Sequence, residues 1–213
     1  MRIAIAGGHG HIGRLLSRRL AAAGHEPVAL IRSADQSDDV SADGATPVVI
    51  DLEHTDDAAL AEALTGCDAT VFAAGAGASS GTERKLALDR DGAILLAAAS
   101  VQAGVRRLVV ISSKGADTFD PDSDDGFQVY LRAKSEADAA IRAHRDLHWT
   151  IVRPGALTDE PGTAQFEVGD TVEGSIPRAD VAHLIAELVT SDRAVHAQFE
   201  VVSGTAAMRD LVF

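Results

Sequence analysis

Apolar residues occur along this chain in short runs that alternate with stretches of helical periodicity. The runs are four to eight residues long and are rich in Val, Ile and Ala, which is typical of strands buried on both faces. They predict six strands, at residues 3–6, 27–32, 47–50, 69–74, 106–113 and 149–155. Between them, apolar residues at helical spacing predict helices at residues 11–24, 56–64, 82–103 and 127–144.

This alternation predicts an α/β fold: a Rossmann-type, doubly wound parallel sheet with helices on both faces. In such sheets ligands bind at the carboxyl ends of the strands, so site residues are expected just after each strand. The pattern changes after Pro154, where Gly, Pro, Thr and acidic residues become frequent. There we predict a hairpin over residues 164–174, a helix over 179–189 and a last strand over 197–204. We expect a single domain over residues 1–213, with 154–213 forming most of a small lobe on the substrate side.

The composition of the chain limits the classes of partner that it is expected to bind. The chain is 46% hydrophobic and 24% charged, with a formal net charge of −13, so nucleic acid and anionic membrane surfaces are poor partners. Cys67 is the only cysteine, which excludes an intrachain disulfide and fits a reducing cytoplasm. No apolar stretch approaches the ~18 residues of a membrane span. We therefore expect a cytoplasmic protein that acts on a small molecule, either a monomer or a dimer.

A glycine-rich loop follows the first strand. Gly7, Gly10 and Gly13 lie in the stretch AIAGGHGHIG, between a predicted strand and a predicted helix. Glycine permits a tight turn and a close backbone approach to a pyrophosphate, and the helix that follows offers free N–H groups. His11 and Ile12, at the start of that helix, are expected beside the cofactor. A metal site at His9 and His11 is disfavoured, because no further ligand lies within a few residues of the pair.

The end of the second strand favours NADP(H) over NAD(H). A loop that binds NAD expects an acidic residue there, but this chain has Arg32 followed by Ser33, a cation and a hydroxyl suited to a 2′-phosphate. A solvated surface arginine is the alternative for Arg32.

Further cofactor-binding candidates follow the third and fourth strands. Asp51 follows the third strand, where it either accepts from the adenine amino group or caps the next helix; Leu52 is its neighbour. Small residues at Ala74 and Gly75 end the fourth strand, as a cofactor lying close to the backbone requires.

A second group of candidates lies in the second half of the chain. Tyr130 and Lys134 are four residues apart and fall on one face of a helix. The ammonium of the lysine favours the phenolate and so brings the tyrosine nearer to acid–base function. Ser112 and Ser113 end the fifth strand, where either hydroxyl suits a substrate carbonyl oxygen. The alternatives are a surface helix pair for the first two and turn or helix caps for the serines.

With the glycine loop, VVISS and YLRAK in this order, the chain resembles the short-chain dehydrogenase/reductase superfamily, and in particular its short, atypical NAD(P)H-binding members, which include NmrA-like proteins. The stretches WTIVRPGALT and IPRADVA extend the resemblance over nearly the whole chain. It implies that Tyr130 donates a proton, that Lys134 binds the nicotinamide ribose and that Ser113 is the catalytic serine. It also implies backbone contacts to the nicotinamide from Pro154, Gly155 and Leu157. Asp89 departs from the family pattern, since many extended relatives carry Asn at that helix position.

Three functions follow from these residues. The first is an NADP(H)-dependent oxidoreductase that reduces a carbonyl, quinone or flavin-like acceptor with the tyrosine–lysine pair. The second is a binding protein that senses the NADPH/NADP⁺ ratio without turnover. The third is a nucleotide-sugar epimerase or dehydratase, which the short segment after Pro154 disfavours.

Overall fold

The computed structural model describes residues 1–77 and 80–213 and is built on one large twisted sheet. Nine strands lie in the order β11-β8-β10-β6-β5-β4-β1-β2-β3, and β7 and β9 form a separate two-stranded sheet. The strands are β1 (Arg2–Ala6), β2 (Glu26–Ile31), β3 (Thr46–Val49), β4 (Ala69–Phe72), β5 (Arg107–Ile111), β6 (His148–Pro154), β7 (Ala156–Thr158), β8 (Gln165–Gly169), β9 (Ser175–Pro177), β10 (Ala197–Ser203) and β11 (Ala206–Ala207). All neighbours in the large sheet are parallel except at β8, which runs antiparallel to β10 and β11.

Helices cover both faces of this sheet. They are α1 (His11–Ala22), α2 (Ser37–Ala42), α3 (Asp57–Ala63), α4 (Thr82–Arg84), α5 (Ala93–Gln102), α6 (Gly126–Arg142) and α7 (Arg178–Val189), and a π-helical stretch, Lys85–Gly92, joins α4 to α5. Successive residues of β1 point to opposite faces: Ile3 and Ile5 pack with α1 and α7, whereas Ala4 and Ala6 pack with α3 and α5. This alternation divides the core into two layers, one on each side of the sheet. The predicted doubly wound α/β fold is therefore confirmed.

The six predicted strands are all present, with ends that shift by one or two residues. The last strand, predicted over 197–204, is present as β10. Four of the five predicted helices are also present, as α1, α3, α6 and α7, but the one predicted over 82–103 is divided by the π-helical stretch. The helix α2 and the strands β7, β9 and β11 were not predicted. These elements are six residues long or less, too short for hydrophobic periodicity to reveal them.

The predicted hairpin over residues 164–174 is wrong. Its first half is β8, but β8 pairs with β10, with Val168 opposite Val201 and Phe166 opposite Ser203. The second half does not return beside it; Val172 N–H donates to Glu200 Oε2 of β10 at 3.2 Å. The reason is burial: pairing with β10 places the Phe166 side chain in the same buried core cluster as Val201.

The residues after Pro154 contribute to two parts of the fold, the main sheet with its helices and a small separate sheet. The strand β10 extends the main sheet beside β6, and α7 packs against α1. Residues 156–177, which contain the small β7–β9 sheet, come directly after the carboxyl end of β6. The predicted role of the lobe in choosing a substrate stays a prediction, and we now assign it to residues 156–177 alone.

No helix of the described residues is long and apolar enough to cross a membrane.

The order in which the strands are added to the sheet reverses between β1 and β4, and this switch point positions the site. The connections from β1 lead outward to β2 and β3, and from β4 outward to β5 and β6, so a crevice opens at the carboxyl ends of β1 and β4. Gly7 follows β1 with a φ of +80°, and a Cβ built on it would lie 2.6 Å from Cα of Ala74, just beyond β4. Only glycine allows the two backbones to approach so closely.

We expect Gly7→Ala to destabilise the fold more than Gly24→Ala. Both glycines have a left-handed φ, +80° and +81°, but nothing lies within 4 Å of a Cβ at Gly24. The two variants share a conformational cost of about 1–2 kcal/mol, and the clash at Gly7 adds about 1–3 kcal/mol. Urea unfolding of both variants measures the difference. Equal midpoints would contradict the close approach of Gly7 to Ala74.

Candidate functional site

One cleft gathers nearly all the residues singled out in the sequence. It has a volume of about 1110 Å³ and opens at the carboxyl ends of the parallel strands. The predicted site residues that line it are Gly7, Gly10, His11, Ile12, Arg32, Asp51, Leu52, Ala74, Gly75, Ser112, Ser113, Tyr130, Lys134, Pro154, Gly155 and Leu157. The roles assigned to them individually stay predictions, but the fold brings them to one place.

Gly13 and Ser33 do not line the cleft. Gly13 is buried in α1, and a side chain there would clash with the carbonyl oxygen of Gly7. It therefore lets the helix pack against the loop. Ser33 directs its hydroxyl to the carboxylate of Asp35, a local contact on the chain.

The first turn of α1 has the features of an anion-binding helix end. Gly10 is the N-cap; it gives no side-chain hydrogen bond, and the first turn contains no acidic residue. The free N–H groups and the positive end of the helix dipole are thus left for a ligand. His9 and His11 do not converge on one point: His9 Nε2 lies 2.8 Å from Asp39, and His11 Nδ1 lies 4.0 Å from Asp159.

At one end of the cleft, the ends of β2 and β3 carry opposite charges. Within the described residues, Arg32 has no hydrogen-bonding or ion-pair partner, whereas Asp51 accepts from Glu53 N–H and the ring of His54, both at 3.0 Å. Burial raises the pKa of Asp51, but these donors more than offset the effect, so the pKa lies below its usual value. The alternative of Asp51 as a helix cap is wrong, because Asp56 caps α3 by accepting from Ala59 N–H.

At the other end, Lys134 is buried and held from three directions. Its Nζ lies 3.1 Å from Asp89 Oδ1, donates to Ile111 O at 3.3 Å, and lies 5.7 Å from the centre of the Tyr130 ring. Burial lowers the pKa of Lys134, but the negative charge available at Tyr130 and the carboxylate of Asp89 more than offset this, so the pKa is raised. Lys134 therefore remains an ammonium at neutral pH, as the tyrosine–lysine hypothesis requires.

The two serines lie in different environments. Ser112 is 5% exposed and donates to Asp138 Oδ2 at 2.7 Å, an oxygen that also accepts from Arg153 at 2.8 and 2.9 Å. Burial lowers the pKa of Arg153, but Asp117 and Asp138 more than offset it, so the guanidinium is held charged. Ser113 is half-buried, and within residues 1–77 and 80–213 its hydroxyl makes a single hydrogen bond, to Lys114 O at 3.2 Å. Of the two hydroxyls, Ser113 is the one free to turn toward a ligand.

Asp89 is the main site residue that the sequence reasoning left out of the candidate set. It is 1% exposed and lies in the π-helical stretch, where Oδ2 accepts from Ala76 N–H at 3.1 Å while Oδ1 faces Lys134. Its place three residues before Gly92 was noted as a departure from the family pattern. A charged residue flanked by Leu88 and Arg90 otherwise gives no signal of burial.

Three features of the cleft are typical of a dinucleotide-binding protein of the Rossmann type. They are a glycine loop where the strand order reverses, a helix end with no side-chain cap, and Arg32, which has no ion-pair partner among the described residues. The chain belongs to the NAD(P)H-binding family, whose model matches residues 7–192. This confirms the resemblance to the NAD(P)H-binding, atypical short-chain dehydrogenases/reductases.

Relatives of known sequence or structure match over nearly the full length. The chain is 32% identical over 206 residues to the uncharacterized sugar epimerase YhfK of Bacillus subtilis, covering 96% of this chain and 95% of that protein. A Bacillus halodurans structure with the provisional description NAD-dependent epimerase/dehydratase is 35% identical, with a TM-score of 0.89 and coverage of 98% and 96%. The oxidoreductase ylbE of Lactococcus lactis is 28% identical, with a TM-score of 0.86 and coverage of 99% and 94%.

We expect Asp89→Ala to destabilise the fold strongly, because it leaves the Lys134 ammonium buried without its partner. Breaking a buried pair in this way costs about 3–5 kcal/mol. In a Lys134→Met background the same change costs less, with a coupling energy of about 1–3 kcal/mol. Urea unfolding of the four proteins measures this cycle.

Asp91→Ala is the matched control. Asp91 lies 2.7 Å from Arg90, but its side chain is 56% exposed. Its removal should cost less than about 1 kcal/mol. Additive losses for Asp89→Ala and Lys134→Met would show that the two side chains do not stabilise each other.

Proposed function

We propose that this protein is an NADP(H)-dependent reductase of a carbonyl, quinone or flavin-like acceptor. The observation that carries the proposal is the convergence of Tyr130, Lys134 and Ser113 on the cleft that also contains the glycine loop and Arg32. A structural helix pair would not need a fully buried lysine beside the tyrosine. Nor would it need a buried carboxylate to hold that lysine charged.

The residues fit the cofactor in a definite orientation. Gly7 and Gly10, with the first turn of α1, would hold the pyrophosphate, and Arg32 the 2′-phosphate. Asp51 and Leu52 would lie at the adenosine, as predicted. The opposite half of the cofactor would then reach Lys134, and the backbone at Pro154, Gly155 and Leu157 would face the nicotinamide. When bound, NADPH supplies the hydride that passes to the acceptor.

The remaining chemistry belongs to this chain. Ser113 would donate a hydrogen bond to the acceptor oxygen and so fix its position near Tyr130. Tyr130 would donate its phenolic proton to that oxygen as negative charge develops there. The Lys134 ammonium stabilises the resulting phenolate, and Asp89 keeps the ammonium charged and in place. Ser112 has no such role, because its hydroxyl already donates a hydrogen bond to Asp138.

The names of two relatives favour a second candidate, an epimerase that uses the same tyrosine–lysine chemistry. Net consumption of the cofactor distinguishes the two, because an epimerase returns the hydride to its substrate. A protein that binds NADPH but reduces none of the acceptors would instead match the cofactor sensor. A screen of quinones, flavins and aldehydes for NADPH oxidation therefore separates the reductase from the other two hypotheses.

We expect Tyr130→Phe to abolish turnover while it leaves NADPH binding nearly intact. The change removes the proton donor but keeps the ring that packs 6.0 Å from Phe127. Loss of general acid catalysis should lower kcat about 100-fold or more. Steady-state NADPH oxidation gives kcat, and calorimetry gives the Kd. Unchanged turnover would remove Tyr130 from the mechanism.

Arg32→Ala should weaken NADPH binding far more than NADH binding. A charge-assisted contact to the 2′-phosphate contributes about 1.5–3 kcal/mol, which is roughly a 10- to 100-fold change in Kd. Titration of both cofactors by calorimetry measures the selectivity. Arg209→Ala, at a side chain that is 86% exposed, is the control and should change neither Kd. An equal loss for both cofactors would show that Arg32 does not read the 2′-phosphate.

A further inference from the structure

Lys85 is a buried cation in the cleft that the mechanism above does not use. It begins the π-helical stretch, is 7% exposed and lines the cleft. Its Nζ donates to Gly126 O at 3.0 Å. No carboxylate of residues 1–77 or 80–213 forms an ion pair with it, and Ala78 and Ser79 carry none. Because a buried ammonium without a counter-charge is costly, its place in a binding cleft points to an anionic ligand.

The other cations along this cleft differ from Lys85. Arg84 pairs with Glu53 at 3.1 Å, Lys134 with Asp89 at 3.1 Å, and Arg178 with Asp159 at 2.8 Å. Arg32 also lacks a partner among the described residues, but it lies at the end of β2, where the 2′-phosphate is proposed to bind. No group of the cofactor is thus proposed to bind the ammonium of Lys85.

The surroundings of Lys85 place it on the substrate side. Gly126 is the first residue of α6, one turn before Tyr130, and a Cβ there would lie 3.0 Å from Lys85 Nζ. The next residue, Phe127, also lines the cleft, is 59% exposed, and stacks with the Tyr130 ring at 6.0 Å between centroids. An ammonium and an uncovered aromatic ring therefore lie beside the proposed proton donor.

We propose that Lys85 binds an acidic group of the acceptor, so that the substrate is an aromatic carbonyl compound or quinone that carries a carboxylate or similar anion. The anion pairs with Lys85 Nζ, the aromatic body packs on Phe127, and the reducible oxygen faces Tyr130. This proposal rests on the proposed reductase function and adds a substrate class to it.

Two aldehydes that differ in one charge test it: 4-carboxybenzaldehyde and methyl 4-formylbenzoate. The wild-type protein should prefer the carboxylate. Lys85→Met should lower kcat/KM for the carboxylate roughly 10- to 100-fold, mainly through KM, as expected for the loss of a charged hydrogen bond. The methyl ester should be unaffected. Lys114→Met is the matched control and should change neither substrate, because Lys114 pairs with Glu173 at 2.8 Å and does not line the cleft.

An equal loss for both aldehydes in Lys85→Met would overturn the proposal, because it would give Lys85 a purely structural role. A weaker Kd for NADPH in that variant would also overturn it and would assign the lysine to the cofactor.

A binding experiment keeps this test separate from turnover. Calorimetry compares naphthalene-2-carboxylate with naphthalene-2-carboxamide on protein saturated with NADP⁺. Tighter binding of the carboxylate that Lys85→Met removes supports the anion site, even where no acceptor is reduced and the reductase proposal alone fails. Equal affinities in the wild-type protein, or no binding of the carboxylate, would overturn the anion site.

Discussion

The ammonium of Lys134 lies almost entirely out of water, and the elements around the cleft compensate its charge. Transfer of an ammonium into the interior costs several kcal/mol unless an opposite charge and hydrogen-bond acceptors are supplied. Asp89 supplies the charge from the π-helical stretch, Ile111 supplies a carbonyl from the end of β5, and Tyr130 lies one turn away on α6. The same interactions therefore join three elements at the point where chemistry is proposed.

This constraint gives a physical reason for the π-helical stretch. Its buried residues, Lys85, Leu88, Asp89 and Gly92, all face inward, so the widened turn carries a carboxylate to Lys134 and a second ammonium to the cleft. Behind them, Arg153 links Asp138 to Asp117, and Asp138 accepts from the Ser112 hydroxyl. Because Asp138 fixes Ser112, the neighbouring hydroxyl of Ser113 is left as the one available to a ligand. The buried pairs Lys134–Asp89 and Arg153–Asp138 thus determine which side chains of the cleft are available to a ligand.

The sequence predicts those parts of the molecule that depend on local pattern. Strands such as β1 and β5 are short apolar runs whose residues alternate between the two core layers, and Gly7 reflects one close approach of backbone. The hairpin prediction failed because the pairing of β8 with β10 depends on a contact between Phe166 and a distant strand.

Asp89 was missed for a similar reason: nothing near it in the sequence shows that a carboxylate will be buried opposite Lys134. Ser33 was predicted to lie at a 2′-phosphate, but its hydroxyl donates to Asp35, a contact that the spacing of residues does not reveal.

Net charge and local charge act at different ranges in this protein. The chain carries a formal charge of −13 and would repel an anion from a distance, yet its proposed ligands are anionic. At physiological ionic strength, charges separated by more than about 8 Å in solvent are largely screened, so affinity depends on the groups that touch the ligand. Arg32 and Lys85, each without an ion-pair partner in the described part of the chain, provide such groups at separate positions in the cleft. A small anion that enters the cleft would then meet two cations that form no ion pair within the described residues.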